Sequence, residues 1–461
     1  MKILKKTLKI LGITLIVLIA LAFIIPIVFK KQITNLVKKE INNGLTAKVD
    51  FRDVSLSLFR HFPKVSIRLE DLSVVGTEFY AKDTLLSTKS FDASVNLMSV
   101  IKGDNIKVSG IYLESPRIHA LVNKEGKANW DITKPSTDTT TSTDTDTSAS
   151  AFKMTLQKYE INNGYIYYKD ETGNMSAEIV GLNHSGSGDF TEDIFTLSTK
   201  TDAEAASFTY EAIPYLLNTK TGIDADIQID NSTSTYTFKT DDIALNNLKL
   251  SADGSFQLVN DSTYKMDINF KSPSNDFKDI LSLIPAVYKQ DFDKLKTSGS
   301  ATLNGFVKGV YSPTQLPAYD VNLGVKDGFF QYPDLPKPIK NIQVAMRVSN
   351  PDGQMDNTLV DISKGHIEMG NDPFDFKILF KNPETKKYID AVVKGKLNLA
   401  DITQFVKLEG GTKLAGILNA DAFAKGNMSA LETQKGEFSA GGFLDIKDLF
   451  YSSSALSPFC I

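Results

Sequence analysis

The chain of 461 residues has one cysteine, Cys460, one tryptophan, Trp130, and four histidines. A lone cysteine excludes any intrachain disulfide and any zinc-cysteine cluster. His61, His119, His184 and His366 show no H-x-x-x-H or H-E-x-x-H spacing, so solvated or structural roles are expected of them and no metal site. An excess of charge of one sign is missing too. With 51 Lys and Arg against 55 Asp and Glu the net charge is −4, which provides no basic field for nucleic acid. Neither G-x-S-x-G nor a Walker A motif occurs, and the Gly186 and Gly188 pair reads as a turn. Acidic pairs such as Asp224 and Asp226 read as the wet face of a strand. No catalytic residue and no cofactor is expected, and the chain is not expected to be an enzyme.

What is present begins with Ile10 to Phe29, twenty residues without a charge, bracketed by Lys2, Lys5, Lys6 and Lys9 on one side and Lys30 and Lys31 on the other. At about 1.5 Å rise this run is roughly 30 Å long, the thickness of a bilayer core. Its fifteen Leu, Ile, Val and Phe residues favour insertion by about 0.3 to 0.6 kcal/mol each. A transmembrane helix over 10–29 is predicted, after a cytoplasmic tail over 1–9. A cleaved signal peptide is the competing reading, opposed by the length of the run and by Lys30 and Lys31 in the cleavage region. Ile33, Leu36, Val37, Ile41 and Leu45 then fall at helical spacing, as a collar at the membrane surface or as a helix packed on a sheet.

From Val49 the period changes to two. Val49 and Phe51, then Val54, Leu56 and Leu58, then Val65, Ile67 and Leu69 alternate with polar residues, the pattern of strands with one buried face. Phe91 to Leu97 predicts another strand, Ile106 and Val108 one more, Ile111 and Leu113 a separate one, and Ile118 to Val122 the next. Gly126 and Trp130 close this module, with Trp130 plugging its core or sitting at a membrane interface. The segment Lys134 to Ser150 carries almost nothing apolar and reads as a linker or long loop. Its Asp138, Asp144 and Asp146 lack the glycine and glutamate of a calcium loop. The module boundaries are thus 30–133, then 134–151 for the linker, then 152–461.

Beyond the linker the two-residue period scarcely stops. Ile223 to Ile229, Tyr264 to Phe270, Tyr319 to Val325, Ile342 to Val348, Phe374 to Ile378 and Ile389 to Val393 all alternate apolar with polar residues. Tyr210 to Leu217 and Asp276 to Val287 are the helical candidates. An internal repeat places Gly299, Lys308, Gly309 and Ser312 each 117 residues before Gly416, Lys425, Gly426 and Ser429. Asn163 to Tyr167 (NGYIY) echoes Asp327 to Tyr332 (DGFFQY). Such repeats extend a sheet by stacking.

Strands apolar on one face, with few helices to cover that face, leave two solutions: a closed sandwich, or an open groove filled by a ligand with long apolar tails. On the groove reading the candidate lining residues are Ile227, Ile229, Met266, Ile268, Leu323, Val325, Val344 and Met346.

The N-terminal span, the DVSLSLFRHFPKVSIRLEDLSVVG stretch from Asp53 to Gly76, the DTL of Asp83 to Leu85, the IYLESPRIHALVNKEGKANWDI run from Ile111 to Ile132 and the Ser/Thr/Asp linker together resemble the AsmA family of bacterial envelope proteins and its TamB-like relatives, in the form common among Bacteroidetes. The resemblance implies a mainly β fold: an inner-membrane anchor, then repeated antiparallel β-modules forming an elongated periplasmic groove with a few short helices. It implies binding or transfer of membrane lipid, phospholipid above all, for outer-membrane biogenesis, with the inner membrane and other envelope proteins as partners. A non-catalytic scaffold acting by protein binding is the alternative. The second repeat stops soon after Phe450 and Tyr451, so the chain is expected to be truncated relative to longer members. With the N-terminus inside, a reporter that works only outside the cytoplasm is expected to be active when fused after Ile461; activity of a cytoplasm-only reporter there would contradict this orientation.

Overall fold

The computed structural model describes residues 34, 44–132, 134, 152–283 and 294–460, without 62–63, 77, 97–105, 133, 211–212, 261, 273–275, 313, 332–337, 371, 403–412, 434–435 and 454–455. The predicted span Ile10–Phe29 and nearly all of the predicted helix Ile33–Leu45 lie outside the described residues. Among the described residues no helix is long and apolar enough to cross a membrane. The chain is mainly β and divides into two compact units, 1–223 and 224–461.

In the first unit, β1 (Lys48–Asp50) and β2 (Asp53–His61) pair end to end along one side of β3 (Lys64–Val75), and β4 (Thr84–Val95) pairs along the other side, all antiparallel. β5 (Ile106–Glu114) and β6 (Arg117–Val122) both follow β4 antiparallel. The two strands expected at Ile106–Val108 and Ile111–Leu113 are thus one strand; a register shift opposite Ser94 and Val95 absorbs the break in alternation at Ser109 and Gly110. β7 (Phe152–Asp170) lies parallel to β5 and β6, and β8 (Met175–Ser187) and β9 (Ile194–Tyr210) continue antiparallel. The expectation of purely antiparallel modules fails at β7. A parallel partner requires a crossover of a dozen or more residues, and the polar stretch containing 134–151 is the covalent connection between β6 and β7. The unit's core gathers Val54, Val65, Ile67, Leu69, Leu72 and Val95.

Trp130 does not plug that core. It is 42% exposed and tilted against Tyr168 at 6.3 Å. Asn129, 2% exposed, is the buried neighbour: it accepts from the Leu121 amide at 3.0 Å and donates to the His119 carbonyl at 2.7 Å. Tyr210–Leu217 is not a helix either. β9 ends at Tyr210 and β10 (Ile213–Asp230) begins three residues later, with Pro214 near its start, where a strand tolerates the missing N–H that a helix interior does not.

The second unit follows β10 with a meander in which each strand pairs antiparallel with the next. β11 (Thr235–Leu245), β12 (Leu248–Asn260) and β13 (Thr263–Lys271) lead to helix α1 (Phe277–Leu281), whose N-cap Asp276 accepts from the Lys278 amide. β14 (Lys296–Tyr311), β15 (Ala318–Gln331), β16 (Ile339–Asn350), β17 (Leu359–Met369), β18 (Asp372–Lys381) and β19 (Tyr388–Asn398) follow, then α2 (Leu399–Ile402) and β20 (Lys413–Asn427). After α3 (Ser429–Thr433) come β21 (Phe438–Ser453) and β22 (Leu456–Cys460).

The 117-residue repeat is a strand–helix–strand unit, β13-α1-β14 and then β19-α2-β20. Lys308 bridges to Asp267 at 2.5 Å and Lys425 to Asp390 at 2.8 Å, the same cross-strand ion pair in each copy. The second echo has a backbone cause. At four places where the alternation slips by one residue an Asp or Asn takes a positive φ: Asp71 at 51°, Asn163 at 49°, Asp327 at 52° and Asp448 at 54°. In β15 the apolar residues run Val321, Leu323, Val325, then Gly328 and Phe330, and the register shifts at that slip. A bulge there keeps both halves of the strand on one face, and Asx residues tolerate the left-handed region better than others. Asp448 is a copy of this device not apparent from sequence comparison alone.

Asp327→Val is expected to lower stability by about 1–2 kcal/mol, the cost of a branched residue in the left-handed region, while Asp327→Gly costs less. Urea unfolding of the purified full chain measures both; equal losses would remove the backbone explanation.

Candidate functional site

Register carries one apolar face across the second unit. Leu303 of β14 lies beside Leu323, then Met346, Ile362, Ile378, Ala391, Ala424 and Ala440 on β15 to β21. The row on one side of it runs Ala301, Val325, Val344, Gly365, Phe376, Val393, Ala422, Gly442, and the row on the other side Gly305, Val321, Val348, Val360, Phe380, Ile389, Gly426, Phe438. None of the three rows contains a polar side chain. The intervening residues face the other way and include Asn304, Asn322, Arg347, Asp361, Asp390 and Lys425. On that polar side Arg347 grips Asp320 through Nε at 2.8 Å, and Lys394 bridges to Asp421 at 2.9 Å.

Among the described residues one end of this apolar face is covered and the rest stays partly exposed. At the α1 end of the strands Phe277 and Leu281 pack with Leu295, Ala301, Val325, Phe330, Ile339, Ile342, Met369 and Leu397, all buried. Farther along the strands Leu323, Met346, Ile362 and Ile378 keep partial exposure, as do Met266 and Ile268. In a closed sandwich such mid-strand positions are the driest in the core. Substantial contacts within the unit join each strand to its chain neighbours and to the short helices. Eight strands at about 4.8 Å and three rows about 7 Å apart make a strip of roughly 34 Å by 14 Å, on the order of 500 Å². That rivals the largest apolar patches of ordinary monomers, which are often functional.

Of the residues expected to line a groove, Met266, Ile268, Leu323, Val325, Val344 and Met346 share this face. Met266 joins it beside Gly309 and Ile268 beside Val307. Val325 and Val344 are nearest the helix, and Val325 is 5% exposed. Ile227 and Ile229 have equal parity on β10, and Ile229 is buried. Sequence reading missed Phe256, Tyr311, Ile362 and Phe376, whose place on the face follows from register. At the strand ends away from α1, Tyr264 stacks between Phe256 at 5.5 Å and Tyr311 at 6.0 Å. Such side chains suit a boundary with one apolar and one wet side.

Some glycines of this face leave room for a ring, and others, such as Gly426 and Gly442 at φ 133° and 106°, hold a backbone conformation that side chains disfavour. A Cβ on Gly365 would stand 2.3 Å from the Phe376 ring and one on Gly305 2.8 Å from Phe270. Both are cross-strand partners; at Gly365 three ring atoms crowd the position, whereas at Gly305 the Asp320 carbonyl oxygen is nearer still, at 2.3 Å.

The histidines are dispersed. His184 is held between the Tyr159 hydroxyl at 2.9 Å and Thr201 at 2.8 Å, and burial pushes its pKa down. His366 pairs with Asp375 at 2.7 Å, and His119 meets Tyr165 edge-on. Among the described residues no group of three or more His, Cys, Asp or Glu is placed to hold a metal.

The family model described as AsmA family matches residues 1–283, past the polar linker and into the second unit. No curated protein and no solved structure matches the chain.

A charge on the open part of the face should be tolerated and one under α1 should not. Met266→Glu is expected to leave the full chain folded with a loss under about 1 kcal/mol, whereas Val325→Asp, in a dry site, costs several. Thermal unfolding by circular dichroism separates the two; comparable collapse of both would mean the face is closed.

Proposed function

The chain belongs to the AsmA family, and from that premise we propose that it is a membrane-anchored envelope protein that binds lipid acyl chains on the apolar face of its second unit and passes phospholipid toward the outer membrane. The observation that supports this reading most is the three-row apolar strip whose mid-strand residues Leu323, Met346, Ile362 and Ile378 stay partly exposed among the described residues. The inner membrane anchors the chain through Ile10–Phe29, and the β-units occupy the periplasm.

The energetics suit a conduit. Each methylene taken from water onto an apolar surface contributes about 0.8 kcal/mol. The bilayer that supplies the lipid offers the same, so exchange between bilayer and protein runs close to level. A bare apolar strip in water is unfavourable, and acyl chains resolve that while moving freely along rows of Leu, Val, Ile, Ala and Gly that offer no hydrogen bond to hold them. The work is non-catalytic and uses no cofactor.

The face is tested by a photo-crosslinking amino acid placed in cells at Leu323, on the apolar side, or at Asn322, on the polar side. Phospholipid adducts are expected from position 323 and not from 322. Protein adducts at 323 with no lipid would instead favour a scaffold.

A further inference from the structure

The first unit holds a charged cleft of about 710 Å³ on the polar side of its sheet. Its floor is Asp92, 1% exposed, on β4. The carboxylate accepts from Ser66 Oγ at 2.5 Å, Arg68 Nε at 3.0 Å and Arg60 Nη1 at 3.3 Å. Arg68 is its cross-strand neighbour, and Arg60 arrives from the end of β2, where the register slips between Ser57 and His61. His61 stacks on Tyr112 with centroids 4.1 Å apart and planes 9° from parallel. Its Nε2 is buried, 3.6 Å from Asp92 Oδ1, and makes no hydrogen bond. Burial holds this imidazole below its ordinary pKa against the opposing pull of Asp92.

The charges are unequally shared. Two guanidinium groups face one carboxylate at the floor, which leaves one positive charge. Two residues along β3, about 7 Å away, Glu70 and Asp71 share a single cation, Arg52, at 2.7 and 2.6 Å. That leaves one negative charge. Lys158 offsets Glu160 at 3.4 Å, and the remaining charged lining residues, Lys89 and Glu114, are one of each sign. The lining is therefore neutral in sum and polarised along one strand. Each floor arginine is about a third exposed and spends few of its five donors on Asp92.

We propose that this cleft binds a zwitterionic phosphodiester: its monoanionic phosphate on Arg60 and Arg68, its ammonium beside Glu70 and Asp71. A fork of guanidinium donors suits phosphate oxygens, and a single surplus charge suits a diester over a doubly charged monoester. The assignment is independent of the apolar face of the second unit. The same chemistry is carried by a lipid headgroup and by a free glycerophosphodiester.

Calorimetry on the full chain in neutral detergent tests it with glycerophosphoethanolamine, with glycerophosphoglycerol, which lacks the ammonium, and with vesicles of phosphatidylethanolamine. The zwitterion is expected to bind at least fivefold more tightly than glycerophosphoglycerol. Arg60→Gln should weaken both at least tenfold, with circular dichroism confirming the fold. Arg52→Gln should act oppositely on preference, widening the zwitterion's advantage by releasing Glu70 and Asp71. Binding confined to vesicles assigns a lipid headgroup; equal binding of the soluble diester assigns a free ligand. Absence of binding in every arm, equal affinity for the two diesters, or indifference to both substitutions would overturn the proposal.

Discussion

Everything in the second unit depends on cross-strand register holding one parity over many strands. A slip of one residue in any strand would turn its apolar side chains to the wet face. The strand sequences do slip, at Asp327 in β15 and at Ser363 and Lys364 in β17, and each slip coincides with a register shift that restores the face. In β15 the restoring residue is an Asp at φ 52°, and the first unit uses the same device at Asp71 and Asn163. The bulges are what place Val360 and Ile367, of opposite parity in one strand, on the same surface.

From that constraint the division of labour between the faces follows. The polar side is laced with ion pairs between exposed groups, Asp267 with Lys308 and Asp390 with Lys425. Each contributes little stability in water, but their charges oppose any reversal of the sheet. The apolar side is sealed at one end by Phe277 and Leu281 and left partly wet in its middle. That contrast, more than its apolar composition, distinguishes this face from an ordinary core.

Much of this could be read from residues alone. Alternation at Tyr264–Phe270, Tyr319–Val325 and Ile342–Val348 marks strands and pairs Met266 with Ile268, Leu323 with Val325 and Val344 with Met346; that these pairs share a face follows from register. The repeat predicted a sheet extended by stacking; that each copy is a strand–helix–strand unit is visible only in the fold. What could not be read depends on long-range partners. Nothing in Phe152–Asp170 says that its neighbour is parallel, because that follows from where the polar connection returns the chain. Ser66, Arg68 and Asp92 look like the solvated half of two ordinary strands; the fold brings Arg60 and His61 from the end of β2 to the buried carboxylate. Tyr210–Leu217 has helical spacing over too few residues to outweigh β-pairing on both sides of it, and Pro214 removes the donor a helix would need.

The central claim is that acyl chains lie against the face carrying Leu323 and not against the opposite one. Fluorescence quenching reads this directly: a tryptophan replaces Leu323 or Asn322 in a Trp130→Phe background, and the full chain is loaded with phospholipid brominated in its acyl chains. Strong quenching at 323 with little at 322 is the predicted result. Equal quenching at the two positions, or none at 323 with lipid present, would contradict it.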